Sequence, residues 1–344
     1  MKQITTLSLM FLISSFFINA QTIITVDNSV GANAEYSDLQ LAIDEAASGD
    51  IIYVHPSELT YGEIIVNKSI NLIGFGHSNT LRNTIIEEIV LEDNASNSRF
   101  TGLYITDRID CQNSILQIQD IIIENCRVNN RIDFGSFTQD EGVNNVIIRG
   151  SVTGTIMGNA TDLIITNNII RSRIIVDENY NSITIRNNIF FRATSGVQVP
   201  ATNAGNANGS IILQNCIFYD DRGPSDTNNN SPGVIFENCL SYNQGTGNVD
   251  LMEGSNNLDN VDPLFVNVNN DDFEAALDDY NLQAGSPAIG SGAGGLDMGL
   301  YDNINFVFNN SGFTAGIPSV SITAITEQVA PGGTIEVTIE SSSN

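Results

Sequence analysis

Arginine is scarce in this chain, which carries 13 lysines and arginines against 40 aspartates and glutamates. Arg149, Arg171, Arg173 and Arg186 nevertheless fall close together. A guanidinium offers a planar fork of donors that matches a carboxylate or sulfate, so a row of them could hold an anionic sugar chain. The plainer reading of the same residues is a solvated face of cross-strand ion pairs. Asp220 and Asp221 lie together after an apolar segment and would make at most a weak Ca2+ site with nearby carbonyls. Asp271-Asp272 and Asp278-Asp279 read as solvated acidic loops. The two histidines are His55 and His77, far in sequence from Asp220. No paired-cysteine zinc motif, phosphate-binding glycine loop or nucleotide fingerprint occurs. Tryptophan is absent, which weakens an aromatic platform for sugars, although Tyr104, Tyr180, Tyr219 and Tyr242 remain.

Whether those arginines converge depends on what positions them. One pattern recurs: Ile121-x-Ile123-x-x-Cys126-x-Val128, Leu163-x-Ile165-x-x-Asn168-x-Ile170, Ile183-x-Ile185-x-x-Asn188-x-Phe190 and Ile211-x-Leu213-x-x-Cys216-x-Phe218. Weaker copies place Phe75, Leu103, Ser151 and Cys239 at the same point. From Leu103 onward (103, 126, 151, 168, 188, 216, 239) the steps are 23, 25, 17, 20, 28 and 23 residues. Such a period marks a stacked solenoid in which each unit buries its apolar face only against its neighbours.

Two solenoids compete. A leucine-rich repeat shares the spacing but needs a second half of near-constant length. Here that half is Ile, Val, Gly and Asn, and its length varies. The expected fold is therefore all-β, a right-handed parallel β-helix whose loops leave the coil outward. The bend asparagines Asn168 and Asn188 are expected to stack as a ladder and to tolerate left-handed dihedrals, a structural role. In this register Glu124, Arg149, Thr166, Arg186, Gln214 and Glu237 should face outward. Arg149 and Arg186 should lie two coils apart, about 10 Å. Arg171 and Arg173 should flank the same coils. Ile122, Ile147, Ile164, Thr184, Ile212 and Ile235 should form a second outward column. That column is covered by the tail or long loops, binds a partner, or is simply a run of good strand formers.

Ser37-Asp38-Leu39-Gln40 reads as a capping box opening a helix over 37–48, with Gly49 placed to end it, and this helix should close the N-terminal mouth. Residues 259–302 should supply closing coils. The tail 303–344 should be a linker and a β-hairpin, Val320 to Ile325 against Ile335 to Ile339 around Pro331-Gly332-Gly333. Residues 1–20 read as a secretory signal, with Lys2, an apolar stretch from Leu7 to Ile18, and Ala20 before the expected cleavage point. The expectation is a secreted or cell-surface, monomeric protein with no membrane insertion. A formal net charge of -27 should repel nucleic acid and anionic membranes. Cys126, Cys216 and Cys239 occupy the bend column and, with Cys111, should be buried thiols. A Cys216–Cys239 disulfide is the alternative.

The stretch Tyr36 to Gly76, the Asn-Asn and Asn-Cys coils, and the ending DPLF…DYNLQAGSPAIG…LDMGLYD carry a resemblance. Over roughly 22–302 the chain resembles secreted parallel β-helix proteins of the pectin lyase-like superfamily, of a kind common in Bacteroidetes. That superfamily includes lyases, hydrolases, adhesins and proteins without activity, so the resemblance implies the fold and leaves the activity open. A lyase of this type would pair an arginine base with Ca2+ and eliminate across an acidic glycan. A hydrolase would need converging aspartates and a Gly-His-Gly element, which Gly74-Phe75-Gly76-His77 does not supply. The leading expectation is a polysaccharide- or surface-binding module without a catalytic site. A lyase, and a structural or adhesin-like surface protein, are the alternatives.

Overall fold

Apolar residues alternate along each repeat, so one set of side chains enters the coil and the next leaves it. In a computed structural model of the chain this alternation builds a parallel β-helix. The structure describes residues 21–78, 82–111, 118–135, 143–176, 182–191, 197–198, 211–219, 234–242, 251–268, 273–301, 308–313, 318–325 and 334–343. The expected signal segment and the acidic loops at Asp220-Asp221 and Asp271-Asp272 lie outside them, as does Tyr180.

Eleven strands stack in parallel as a first sheet and thirteen form a second. The second sheet runs in two lanes. The strand Arg127–Asp133 shifts register between Val128 and Arg131, pairing with Val152 and Thr153 before the shift and with Thr155 to Met157 after it. From Arg99 to Val176 each turn of the solenoid is thus a first-sheet strand, a tight bend, a short lane-one strand, a shallow corner and a lane-two strand. Among the described residues the second half of the repeat forms a parallel sheet of its own, as a β-helix requires, and the one α-helix, Leu39–Glu45, lies before the second first-sheet strand. Among the described residues no helix is long and apolar enough to cross a membrane.

The register places Ile24, Ile52, Leu72, Phe100, Ile123, Ile148, Ile165, Ile185, Leu213 and Phe236 in one inward column, each no more than 5% exposed. Full burial of one such side chain contributes about 1.5–3 kcal/mol, which makes this column the spine of the core.

At the bend, two neighbouring columns divide the roles expected of one asparagine. Left-handed dihedrals fall on the residue before the ladder: Asn125, Asn167, Asn187, Asn215, Asn238 and Asn256 have φ between 51° and 58°. The ladder residue itself stays inside and accepts the backbone N–H of the coil below. Cys126 N–H donates to Ser151 Oγ at 3.1 Å, Ser151 N–H to Asn168 Oδ1 at 2.9 Å, and Asn168 N–H to Asn188 Oδ1 at 2.9 Å. Cys239 N–H donates to Asn257 Oδ1 at 2.9 Å. Sulfur takes the same part where cysteine occupies the column, Cys126 accepting from Leu103 and Cys239 from Cys216. All four cysteines are buried free thiols. Burial pushes Cys126 up to about 12 and Cys239 well above its ordinary value, so both stay protonated and pack as small hydrophobes.

The N-terminal helix is shorter than the expected 37–48 and spans Leu39–Glu45, with Leu39, Ala42 and Ile43 buried against the first coil. Its N-cap is Asp38, whose carboxylate accepts from Leu41 N–H at 2.9 Å, so the expected capping box does not form. Gln40 bonds Ile65 instead, accepting from its N–H at 2.7 Å and donating to its carbonyl at 3.1 Å. The cause is the exposed edge: Glu63–Val66 ends its sheet, and Gln40 satisfies backbone groups that no further strand reaches. Lys68 Nζ caps the helix at the other end, donating to Asp44 O at 2.8 Å and Ala46 O at 3.1 Å.

The ending differs from the expected closing coils. Gly254–Ser255 adds a last first-sheet strand and Leu258 bridges to Leu240. Beyond it the chain turns back along the outside of the stack. Asn238 Nδ2 donates to Ser291 O at 3.0 Å, Asn187 Nδ2 to Gly299 O at 3.2 Å, and Asn167 Nδ2 to Leu300 O at 2.7 Å. Ala293 N–H donates to Asn215 Oδ1 at 2.8 Å. The strap ends at Ser311, whose carbonyl accepts from His77 N–H at 2.8 Å. Beneath it lies a second core: Val152, Ile169, Ile189, Ile217 and Leu240 from lane one, with Phe265, Phe273, Tyr280, Met298 and Leu300 from the strap. These lane-one residues face away from the coil, and only the strap buries them. The tail forms the expected hairpin, Pro318–Ile325 antiparallel to Val337–Ser343.

Candidate functional site

The expected arginine groove does not assemble. Arg149 and Arg186 do share the first-sheet column, since Arg149 pairs with Thr166 and Thr166 with Arg186. Glu124, in the same column, is not a solvated outward residue: its side chain is 4% exposed. Arg149 Nε donates to Glu124 Oε2 at 2.6 Å, and Arg99 Nε to Glu124 Oε1 at 2.6 Å. Two guanidiniums, one from the coil on each side, clamp one carboxylate, the cross-coil ion pair of the plainer reading. Arg186 is exposed and has no side-chain partner among the described residues. Arg171 belongs to the corner between the lanes, where its Nη2 donates to Asn129 O at 3.0 Å. The same corner holds Arg127 over the rings of Tyr104 and Phe273, at 5.4 and 5.7 Å.

Arg173 stands in a different column, on lane two. Ile156 pairs with Ile174, which sets Arg173 beside Thr155, and Thr155 pairs with Arg131 and Arg131 with Arg108. Two columns further along the strand, Val90 pairs with Asp110, and Asp110 with Asp133. The intervening Ile89, Ile109, Ile132, Ile156 and Ile174 point into the core, each at most 1% exposed. Alternation therefore forces Arg108, Arg131 and Arg173, and also Asp110 and Asp133, onto the outer surface.

That surface is wired. Arg108 Nε donates to Glu88 Oε1 at 2.7 Å and lies 3.1 Å from Asp110 Oδ2. Arg131 Nε donates to Asp133 Oδ2 at 3.0 Å, and Gly135 N–H to Asp133 Oδ1 at 3.1 Å. The Asp110 and Asp133 side chains are only 8% and 4% exposed, whereas those of Arg108 and Arg131 are 30% and 28% exposed. Two carboxylates one coil apart each face a guanidinium of their own coil, Asp110 with Arg108 and Asp133 with Arg131. Beneath them, burial and the charges of Asp110 and Asp133 push the Cys111 thiol far up. Burial pulls Arg108 down, but the hydrogen bond and charge of Glu88, with the charges of Asp110 and Asp107, more than offset it and hold it above its ordinary value.

The carboxylates thus fix the forks through Nε. Among the described residues, the terminal N–H groups of Arg108 and Arg131 carry no further bond. The row presents planar donors and acceptors at the coil spacing, about 4.8 Å apart. It does not present a cation cage: Glu88, Asp110 and Asp133 are committed to arginine, and no group of three His, Cys, Asp or Glu side chains gathers as a metal site among the described residues. Sequence reasoning found Arg173 and missed the rest. The signal was present, because Arg108-Ile109-Asp110 and Arg131-Ile132-Asp133 are the same tripeptide one repeat apart.

No family model matches the chain, and no curated protein matches it significantly.

Proposed function

We propose that this solenoid is an exported, non-catalytic module that binds polysaccharide along lane two, through the Glu88–Arg108–Asp110 and Arg131–Asp133 row. The observation that carries the reading is the preorganisation of that row: forks already oriented by buried carboxylates lose little freedom when they bond sugar hydroxyls. The local charge points to the ligand. Glu88, Asp107, Asp110 and Asp133 outnumber Arg108, Arg131 and Arg173. Combined with a net charge of -27, this favours a neutral or sparsely charged glycan over a polyanion.

The lyase reading is weaker on the same face. A general base must shed its proton near the working pH, and Arg108 is held more firmly protonated than an ordinary arginine.

The test is affinity electrophoresis and a glycan array with Arg131→Lys. This variant keeps a cation beside Asp133 but loses the planar fork. Binding to a neutral polysaccharide should fall at least about tenfold, the scale of one charge-assisted hydrogen bond at 1.5–3 kcal/mol. Arg186→Ala, on the other sheet, should bind as the parent does. Equal binding by Arg131→Lys and parent, or loss confined to Arg186→Ala, overturns the proposal. Appearance of unsaturated uronate from an acidic glycan would establish the lyase instead.

A further inference from the structure

His77 sits where the strap ends, and its surroundings are unusual. The residue is 1% exposed, and its Nε2 has no hydrogen-bond partner. Nδ1 is 2.9 Å from Ser78 Oγ. Backbone N–H groups of His77 and Ser78 both donate to Ser311 O, at 2.8 and 3.3 Å. The Phe273 ring meets the imidazole edge-on, with centroids 6.2 Å apart. Gly312, at φ 71°, lies directly on the imidazole: a Cβ there would stand 2.1 Å from Cδ2 and 2.6 Å from Nε2. A buried imidazole nitrogen without a partner is costly, and the strap's Gly312 packs directly against it.

We propose that His77 is a proton-sensitive latch for the strap: the strap end closes over a neutral imidazole, and protonation of His77 releases residues 308–313. Charged groups around it are few. From the lane-one corner Arg127 acts on the ring and opposes its protonation. From the strap, Asp278 is spent on Tyr280 OH at 2.9 Å and on Glu274 N–H at 2.8 Å. Ser78 and Phe273 bring no charge. Among the described residues no carboxylate pairs with the ring, so none of them supplies an imidazolium with a counter-ion in the closed state.

Burial first, and then Arg127, hold His77 down at about 3 against an ordinary 6.5. A depressed folded value means that closure is fully favoured above the free value near 6.5 and weakens as pH falls below it, towards 3. The open form, with an ordinary histidine, gains about tenfold in population between pH 7.5 and 5.5. Opening at the latch loosens the strap end, where Phe308 belongs to the second core.

The experiment is hydrogen exchange of the full chain, read on peptides covering 308–313 and corrected for intrinsic rates, between pH 7.5 and 5.5. The other histidine, His55, is half-exposed and packs on Phe75 at 5.3 Å, so a His55→Phe variant serves as the control. About a tenfold rise in opening is expected. His77→Phe should flatten the pH dependence, and Gly312→Ala should open the strap end at every pH. A rise that persists in His77→Phe overturns the latch. If that variant does not fold, the imidazole C2 proton of the parent decides: titration near 6.5 with strap exchange unchanged overturns the proposal, whereas titration only together with strap opening supports it.

Discussion

The two outer faces of this solenoid carry apolar rows of similar make and opposite fate. On lane one, Val152, Ile169, Ile189, Ile217 and Leu240 are fully buried by the returning strap. On the first sheet, Ile122, Ile147, Ile164 and Ile235 stay half-buried and Ile212 is 41% exposed. The tail hairpin, one of the covers anticipated for that stripe, keeps Ile335, Val337 and Ile339 exposed at 61%, 47% and 63%, so these side chains cover nothing. The lesson is that a β-helix needs only its inner columns. An outer row of isoleucines is tolerated as strand former, and it becomes core only where another segment brings backbone partners to it. Here the side-chain amides of Asn167, Asn187 and Asn238 and the Asn215 carbonyl oxygens supply those partners.

The sharpest way to break the comparison is to place a charge on each face. Ile217→Asp should cost more than about 4 kcal/mol, because the carboxylate is sealed beneath Met298 and Gly299 with no partner. Ile147→Lys should stay within about 0.5 kcal/mol. Urea midpoints at unchanged slope would measure both, and similar losses would mean that the first-sheet stripe is also covered. A smaller effect tests the strap's polar seam. Asn187→Ala strands the Gly299 carbonyl and should cost about 1–3 kcal/mol, with faster exchange of 288–301 and an unchanged first sheet. The smallest is at the far cap. Lys68→Met removes the cation from the helix C-terminus and should cost about 0.3–1 kcal/mol in a thermal melt, independent of the strap. Additivity of Lys68→Met with Asn187→Ala would show the two ends to be uncoupled.

Much of the fold was legible because burial imposes a period. The bend column from Leu103 to Cys239 stacks as its spacing requires, and the outward columns follow from it. The strap was not anticipated, although its trace was in the sequence. Ile169-Ile170, Ile189-Phe190-Phe191 and Ile217-Phe218 are continuous apolar runs, and a strand buried on one face only should alternate. Consecutive large residues announced a cover on both sides. What they could not say was which segment provides it, since the contact joins residues 133 positions apart at Asn167 and Leu300. The site fared similarly. Arg173 was singled out for its charge, but the arginines and aspartates that surround it are read only after lane two is known to exist. The carboxylate clamp on Arg149 depends on Arg99, which sits in the isoleucine column and offers no repeat signal of its own.

The strap also changes what kind of polymer this is. A plain stack of repeats is nearly one-dimensional: it frays from either end and can nucleate anywhere. Tying the last coil to the one that holds His77 staples the ladder lengthwise, so that the coils between them are lost together, while the helix-capped first coils lie outside the staple. Loss of the fold should then be abrupt. Assembly must wait for the final segment to close contacts of very long sequence separation, which makes the stapled state slow to reach once it has been lost.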